Sequence, residues 1–142
     1  MAEISSNNDT AGKILGIDYG ATDVGLALAD LETRMAFAYR TLHNDKDLVQ
    51  KIAEIVAEER VEKIIIGVPT HVNREVKEYP GERFGKLLME ALHVEIEYQD
   101  EMFTTKMAQR NLIERKVKQV SKHDDEEAAR IILQEWLDNH ET

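Results

Sequence analysis

The 142-residue sequence contains no cysteine, two prolines, one tryptophan and three phenylalanines. Without cysteine there is no disulfide framework, no thiolate metal site and no cysteine nucleophile, so any bound metal must be held by oxygen or imidazole. No apolar run approaches the ~20 residues of a membrane span, and Met1 to Gly12 is polar rather than a basic stub followed by an apolar stretch. A cytoplasmic protein with no membrane partner is the expectation. Positive charge is also scarce: the formal net charge is −10, which argues against holding nucleic acid by bulk electrostatics. Low-complexity and disordered classes are excluded by 42% hydrophobic residues with only seven glycines, and the length suits one domain with one core.

The chain begins with a polar tail over residues 1–12, and a single domain is expected over 13–142. Lys13 to Asp18 and Val24 to Ala29 are short apolar runs punctuated by Gly20 and Gly25, the pattern of a hairpin. Arg34 to Arg40 suits a third antiparallel strand. From Asp45 to Arg60, Leu48, Ile52, Ile55 and Val56 recur at helical spacing. Ile64, Ile65 and Ile66 then form the continuous β-branched run of a strand buried on both faces. Pro69 to Gly81 reads as a long loop, Glu82 to Leu92 as a helix and Val94 to Tyr98 as a strand leading into Asp100 and Glu101. Two helices follow, Thr105 to Arg115 and Asp125 to Asp138, the latter burying Ala128, Ala129, Ile132, Leu133, Trp136 and Leu137. This order predicts an α/β fold with a mixed sheet and helices on both faces.

Acids stand at the ends of three elements. Asp18 closes the first strand before a glycine turn, where ligands of α/β sheets gather, although an acid there also serves to open a turn. Asp100 and Glu101 follow the last strand, and alternation lets only one of them face Asp18. Asp124 and Asp125 precede the final helix, where Asp124 as N-cap would leave Asp125 at the first helical position. Brought to one sheet edge, three carboxylates would repel one another and destabilise the fold unless a cation joined them. Hard oxygen ligands select Mg²⁺ or Mn²⁺, and a pair of such ions ~3.5–4 Å apart suits in-line phosphodiester hydrolysis.

A local excess of positive charge accompanies these acids. Between Lys106 and Lys122, six basic residues (Lys106, Arg110, Arg115, Lys116, Lys118 and Lys122) oppose Glu114 alone, a pattern suited either to nucleic-acid phosphates or to a solvated helix face. The five histidines show no metal-ligating spacing, with His123, beside Asp125, the one placed to touch a substrate phosphate. Tyr19 either stacks on a base or packs beside the hairpin, and packing is favoured. Trp136 is expected in the core.

The stretch Ile14-Leu15-Gly16-Ile17-Asp18-Tyr19-Gly20, with Gly25 and Asp30, resembles the opening motif of the YqgF-type family. Ile65-Ile66-Gly67-Val68-Pro69 resembles that family's Gly-x-Pro segment, Asp100-Glu101 with Thr104, Thr105 and Ala108 its Asp-Glu-x-x-Thr motif, and Asp125 to Asp138 its terminal motif. The resemblance spans Lys13 to Asp138 in order. It implies a ribonuclease H-like fold and a metal-dependent nuclease acting on structured RNA, in 5′ maturation of precursor 16S ribosomal RNA, or on branched DNA. It implies Asp18, Glu101 and Asp125 as catalytic metal ligands, with Thr104 or Thr105 near the site. The sequence departs from the pattern at Thr22-Asp23 and Met102, where basic residues are usual, and at Asn73-Arg74-Glu75, which lacks the usual glycine. Arg74, Lys77 and the basic stretch, including Lys106, Arg110, Lys116, Lys118 and Lys122, are the candidates to replace those charges. A monomer or weak homodimer is expected. The competing readings are a non-catalytic binding member of the same fold and a phosphotransferase, for which 142 residues leave no second domain.

Overall fold

The computed structural model describes residues 12–69, 77–100 and 121–140, of which 121–124 by backbone alone. Five strands form one mixed sheet: β1 (Lys13–Tyr19), β2 (Asp23–Asp30), β3 (Ala36–His43), β4 (Val61–Val68) and β5 (Glu95–Asp100), in the order β3-β2-β1-β4-β5. The first three pair antiparallel as the hairpin signals predict, while β4 and β5 run parallel to β1. The parallel strands therefore present their C-terminal ends, Tyr19, Val68 and Asp100, at one edge of the sheet.

Period-two alternation sorts the side chains between two helical layers. Leu15, Ile17, Val24, Leu26, Ile64 and Ile66 face one core with Leu48, Ile52 and Ile55 of α1 (Leu48–Glu59) and Phe84 and Leu88 of α2 (Pro80–Leu92). Ile14, Ala27, Ala29 and Ile65 face the other, packed by Ala129, Ile132, Leu133, Trp136 and Leu137 of α3 (Ser121–Asn139). Helices thus cover both faces. Trp136 is buried, as expected, and Tyr19 packs rather than waiting for a base: its ring stacks on Phe84 at 4.6 Å between centroids.

Several boundaries differ from the sequence expectation, and three of them have a local reason or bear on the site. β3 starts at Ala36 rather than Arg34 because Arg34 adopts a left-handed conformation, φ 58°, incompatible with a strand. α2 starts at Pro80 rather than Glu82, with proline in its first turn, where its missing N–H costs no helical bond. α3 starts at Ser121, so Asp124 is no N-cap and Asp125 lies in the second turn rather than at the first helical position. Residues 1–11 of the expected 1–12 tail, most of the loop after Pro69 and the expected helix over residues 105–115 lie outside the described residues.

Candidate active site

Helix α3 runs close against the sheet because the strands are stripped of side chains beneath it. A Cβ at Gly16 would stand 2.7 Å from Leu133 Cβ, and one at Gly67 2.6 Å from Ile132 Cδ1. At Gly25 it would collide with the backbone carbonyl of Asp125. These glycines share the α3 face with Asp18, since Gly16 and Asp18 have the same parity on β1 and Gly25 is the cross-strand partner of Asp18. Gly67 is the neighbour on the other side, following the Ile17–Ile66 pair of the β1–β4 ladder. Asp18 therefore sits between two bare backbone positions, with the second turn of α3 lying over one of them.

Asp125 itself belongs to the sheet-facing stripe of α3. Residues four apart on a helix share a face, and Asp125 precedes Ala129, Leu133 and Leu137, all buried against the sheet. Both carboxylate-bearing residues are partly exposed, which fits ligands at an accessible rim.

The far end of α3 is fastened by polar contacts that fix the helix over the strands. Gln134 accepts from the Ala36 backbone N–H at 2.9 Å and donates to the Arg34 carbonyl at 3.2 Å. The Arg34 guanidinium donates to the carbonyl of Leu137 at 2.7 Å and to that of His140, satisfying helix-terminal acceptors. Trp136 donates its indole N–H to Glu97 at 3.0 Å, and Lys63 donates to the same carboxylate at 2.8 Å. With a rise of about 1.5 Å per residue, an axial slip of α3 at this end would move Asp125 off Gly25.

Strand parity divides the third acid pair. Asp100 pairs with Val68 and shares parity with Ile96, which lies in the α1–α2 core, so Asp100 points away from Asp18. Glu101 lies outside the described residues. So do Arg74, Thr104, Thr105, Lys106, Arg110, Lys116 and Lys118, while Lys122 and His123 are described by backbone alone. Among the described residues no three acidic or imidazole side chains are grouped to hold a metal ion.

Sequence reasoning missed one pair at this edge. His43, at the end of β3, is the cross-strand partner of Asp23, and its Nδ1 lies 3.2 Å from an Asp23 carboxylate oxygen. No spacing signal reveals it, because 20 residues separate the two and only the β2–β3 register joins them.

A family model described as RuvX, Holliday junction resolvase, matches residues 12–139. A "Putative pre-16S rRNA nuclease" of Lactococcus lactis subsp. cremoris (strain SK11) is 32% identical over 136 residues, covering 90% of this chain and 95% of the relative. A Porphyromonas gingivalis protein of the same name is 35% identical over 135 residues, covering 90% of this chain and 97% of its own. Among solved structures, the Fowlpox virus resolvase, in complex with Holliday junction DNA, aligns with a TM-score of 0.59 at 9% identity, covering 89% of this chain and 97% of that one. Thermus thermophilus RuvC aligns with a TM-score of 0.53 at 15% identity, covering 88% and 93% respectively. These structures share the fold, a ribonuclease H-like mixed sheet. With a model matched over nearly its whole length and relatives above 30% identity end to end, the chain belongs to the RuvX family.

Proposed function

We propose that the chain is a metal-dependent nuclease that hydrolyses phosphodiester bonds of structured RNA, in 5′ maturation of precursor 16S ribosomal RNA in the cytoplasm, through Asp18, Asp125 and Glu101. The observation that carries this reading is the placement of Asp125 over Gly25, the partner of Asp18. Two acids 107 positions apart in the chain are thereby brought to one rim, an arrangement that invites a shared cation. Glu101 completes the set if the alternation of β5 continues one residue past Asp100, since Glu97 and Gln99 occupy the α3 side of that strand.

The donor set is all carboxylate, which fits Mg²⁺ or Mn²⁺ and disfavours softer metals. When bound, such an ion supplies an activated water and neutralises charge on the leaving oxygen. The chain's own residues hold the ion at the rim, while Thr104, Thr105, Arg74, Lys106, Arg110, Lys116, Lys118 and Lys122 position the phosphate backbone. A basic stretch of net +5 in a chain of net −10 concentrates the attraction for phosphate in one segment of the sequence. Among the described residues no helix is long and apolar enough to cross a membrane.

Mg²⁺-dependent cleavage of a 5′-extended 16S precursor RNA tests the proposal, with a four-way DNA junction as the competing substrate. Asp18→Asn and Asp125→Asn are expected to abolish cleavage while leaving the fold intact. Full-rate cleavage by Asp18→Asn contradicts the assignment, and preference for the junction replaces RNA with branched DNA as the substrate.

A further inference from the structure

We infer that Gln99 donates its side-chain amide to a non-bridging oxygen of the phosphate held at the acidic rim; the inference rests on the nuclease reading above and adds a substrate-binding residue to it. Strand register places Gln99 there. Gln99 is the ladder partner of Gly67, and Gly67 stands beside Asp18, one step past the Ile17–Ile66 pair. Asp18, Gly67 and Gln99 thus form one row across β1, β4 and β5. All three face α3, since Gln99 shares parity with Glu97, which accepts from Trp136. Two strand spacings separate Gln99 from Asp18, about 10 Å between backbones. Gly67 between them has no side chain, and the tip of Ile132 rests on it, giving an apolar floor between an acid and an amide.

The path of α3 turns away from this corner of the sheet. Asp125 lies over Gly25 on β2, Leu133 over Gly16 on β1 and Ile132 over Gly67 on β4, while Trp136 reaches Glu97 on β5. The helix therefore crosses the strands diagonally, and at β5 it meets Glu97, two residues further from the rim than Gln99. Thr41 ends the same row on the other side of Gly25, but the Asp125 backbone over Gly25 lies between it and Asp18. No basic side chain stands in the row, which runs Thr41, Gly25, Asp18, Gly67, Gln99, so the donor to a phosphate here is a neutral one. Phosphate oxygens only accept hydrogen bonds, and a glutamine amide carries two N–H donors at any pH. Its hydrogen bond among the described residues runs to the Asp100 carbonyl at 3.4 Å, beyond the usual range of roughly 2.7–3.2 Å, and a charged acceptor displaces so long a bond readily. A lysine in this place would pair with Asp18 and compete with the cation. An amide holds phosphate and leaves the carboxylates to the ion.

Magnetic resonance of the side-chain amides tests the inference on the isotope-labelled full chain, titrated with inorganic phosphate in the presence of Mg²⁺. The Gln99 amide pair, identified by its absence from Gln99→Leu, is expected to shift and saturate with phosphate, and Asp18→Asn should abolish the shift. Single-turnover cleavage of the precursor RNA should fall roughly ten- to hundredfold in Gln99→Leu, the value of one hydrogen bond to a charged group, with little change in the unfolding midpoint. Gln99→Glu, which keeps the shape but loses the donors, should fall at least as far. A residue that only braced Asp100 would cost stability and leave the cleavage rate of the folded protein intact. No phosphate-dependent shift, or wild-type cleavage rates in both variants, overturns the inference while the nuclease reading stands on its own test. A shift that persists in Asp18→Asn places the phosphate elsewhere and overturns it too. A shift that depends on Asp18, in a chain that cleaves neither RNA nor junction, sustains the phosphate contact and refutes the nuclease reading instead.

Discussion

The backbone carbonyl of Asp125 fills the space that a side chain at Gly25 would occupy, and Gly25 is the ladder partner of Asp18. One missing methyl group thus lets the backbone of the last helix close on the strand position beside Asp18. Gly25→Ala is expected to push the second turn of α3 away from the sheet, costing about 1–3 kcal/mol as overpacking does. Cleavage should fall well beyond the loss of folded protein, because displacement of catalytic groups by about 1 Å is costly in rate. Denaturant unfolding alongside single-turnover kinetics checks both; wild-type rates in the folded variant would separate Asp125 from the chemistry.

Arg34 offers a second test of how α3 is held. Its left-handed backbone, φ 58°, costs a non-glycine residue about 1–2 kcal/mol, and its guanidinium reaches the last carbonyls of the helix. Arg34→Ala and Arg34→Gly both remove those contacts, but glycine relieves the backbone. The glycine variant should therefore be the more stable by about 1 kcal/mol, read from thermal unfolding. Amide exchange should speed up at the C-terminal turn of α3 in both.

The Lys63–Glu97–Trp136 contact makes stability depend on pH. The Lys63 hydrogen bond, with a further one from Trp136, holds the Glu97 carboxyl below its usual 4.5 against the opposing effect of burial. A depressed carboxyl contributes stability that is present above 4.5 and is lost as pH falls through the lowered folded value. Lys63 is raised above 10.5, chiefly by its bond to Glu97, so its contribution is complete below 10.5 and lost only as pH rises through the raised value. Glu97→Gln keeps an acceptor for the indole but should flatten the acid limb of the stability profile below pH 4.5. An unchanged slope in urea titrations across that range would contradict it.

Thr41 carries the one buried side-chain polar atom without a hydrogen-bond partner among the described residues. An unsatisfied hydroxyl costs about 1–3 kcal/mol of desolvation, and valine has nearly the same shape. Thr41→Val should raise the unfolding midpoint, with a gain of about 1 kcal/mol. A loss of stability would mean the hydroxyl is satisfied in solution.

Much of this fold is legible in the residues because local pattern and burial agree. Ile64 to Ile66 announce a strand covered on both faces, and the stripe from Ala128 to Leu137 announces the helix that covers one of them. Boundaries were less legible where tertiary contacts override local preference: Arg34 leaves the strand to cap α3, and that helix extends to Ser121, beyond the apolar stripe that revealed it. Asp18 could be singled out from its strand end, but the close approach of α3 to the strands on either side of it depends on Gly25 and Gly67. Those glycines are visible in the sequence as motif positions, and their reason is visible only when a helix lies on them. The His43–Asp23 pair had no local signature at all, being a product of cross-strand register.

The central claim, that acids distant in the chain share one cation, is tested most directly by diffraction at the manganese edge from crystals soaked in Mn²⁺. The account predicts anomalous density bonded to the carboxylates of Asp18 and Asp125, lost in Asp18→Asn. Manganese bound elsewhere, or no site joining these two residues, would contradict it.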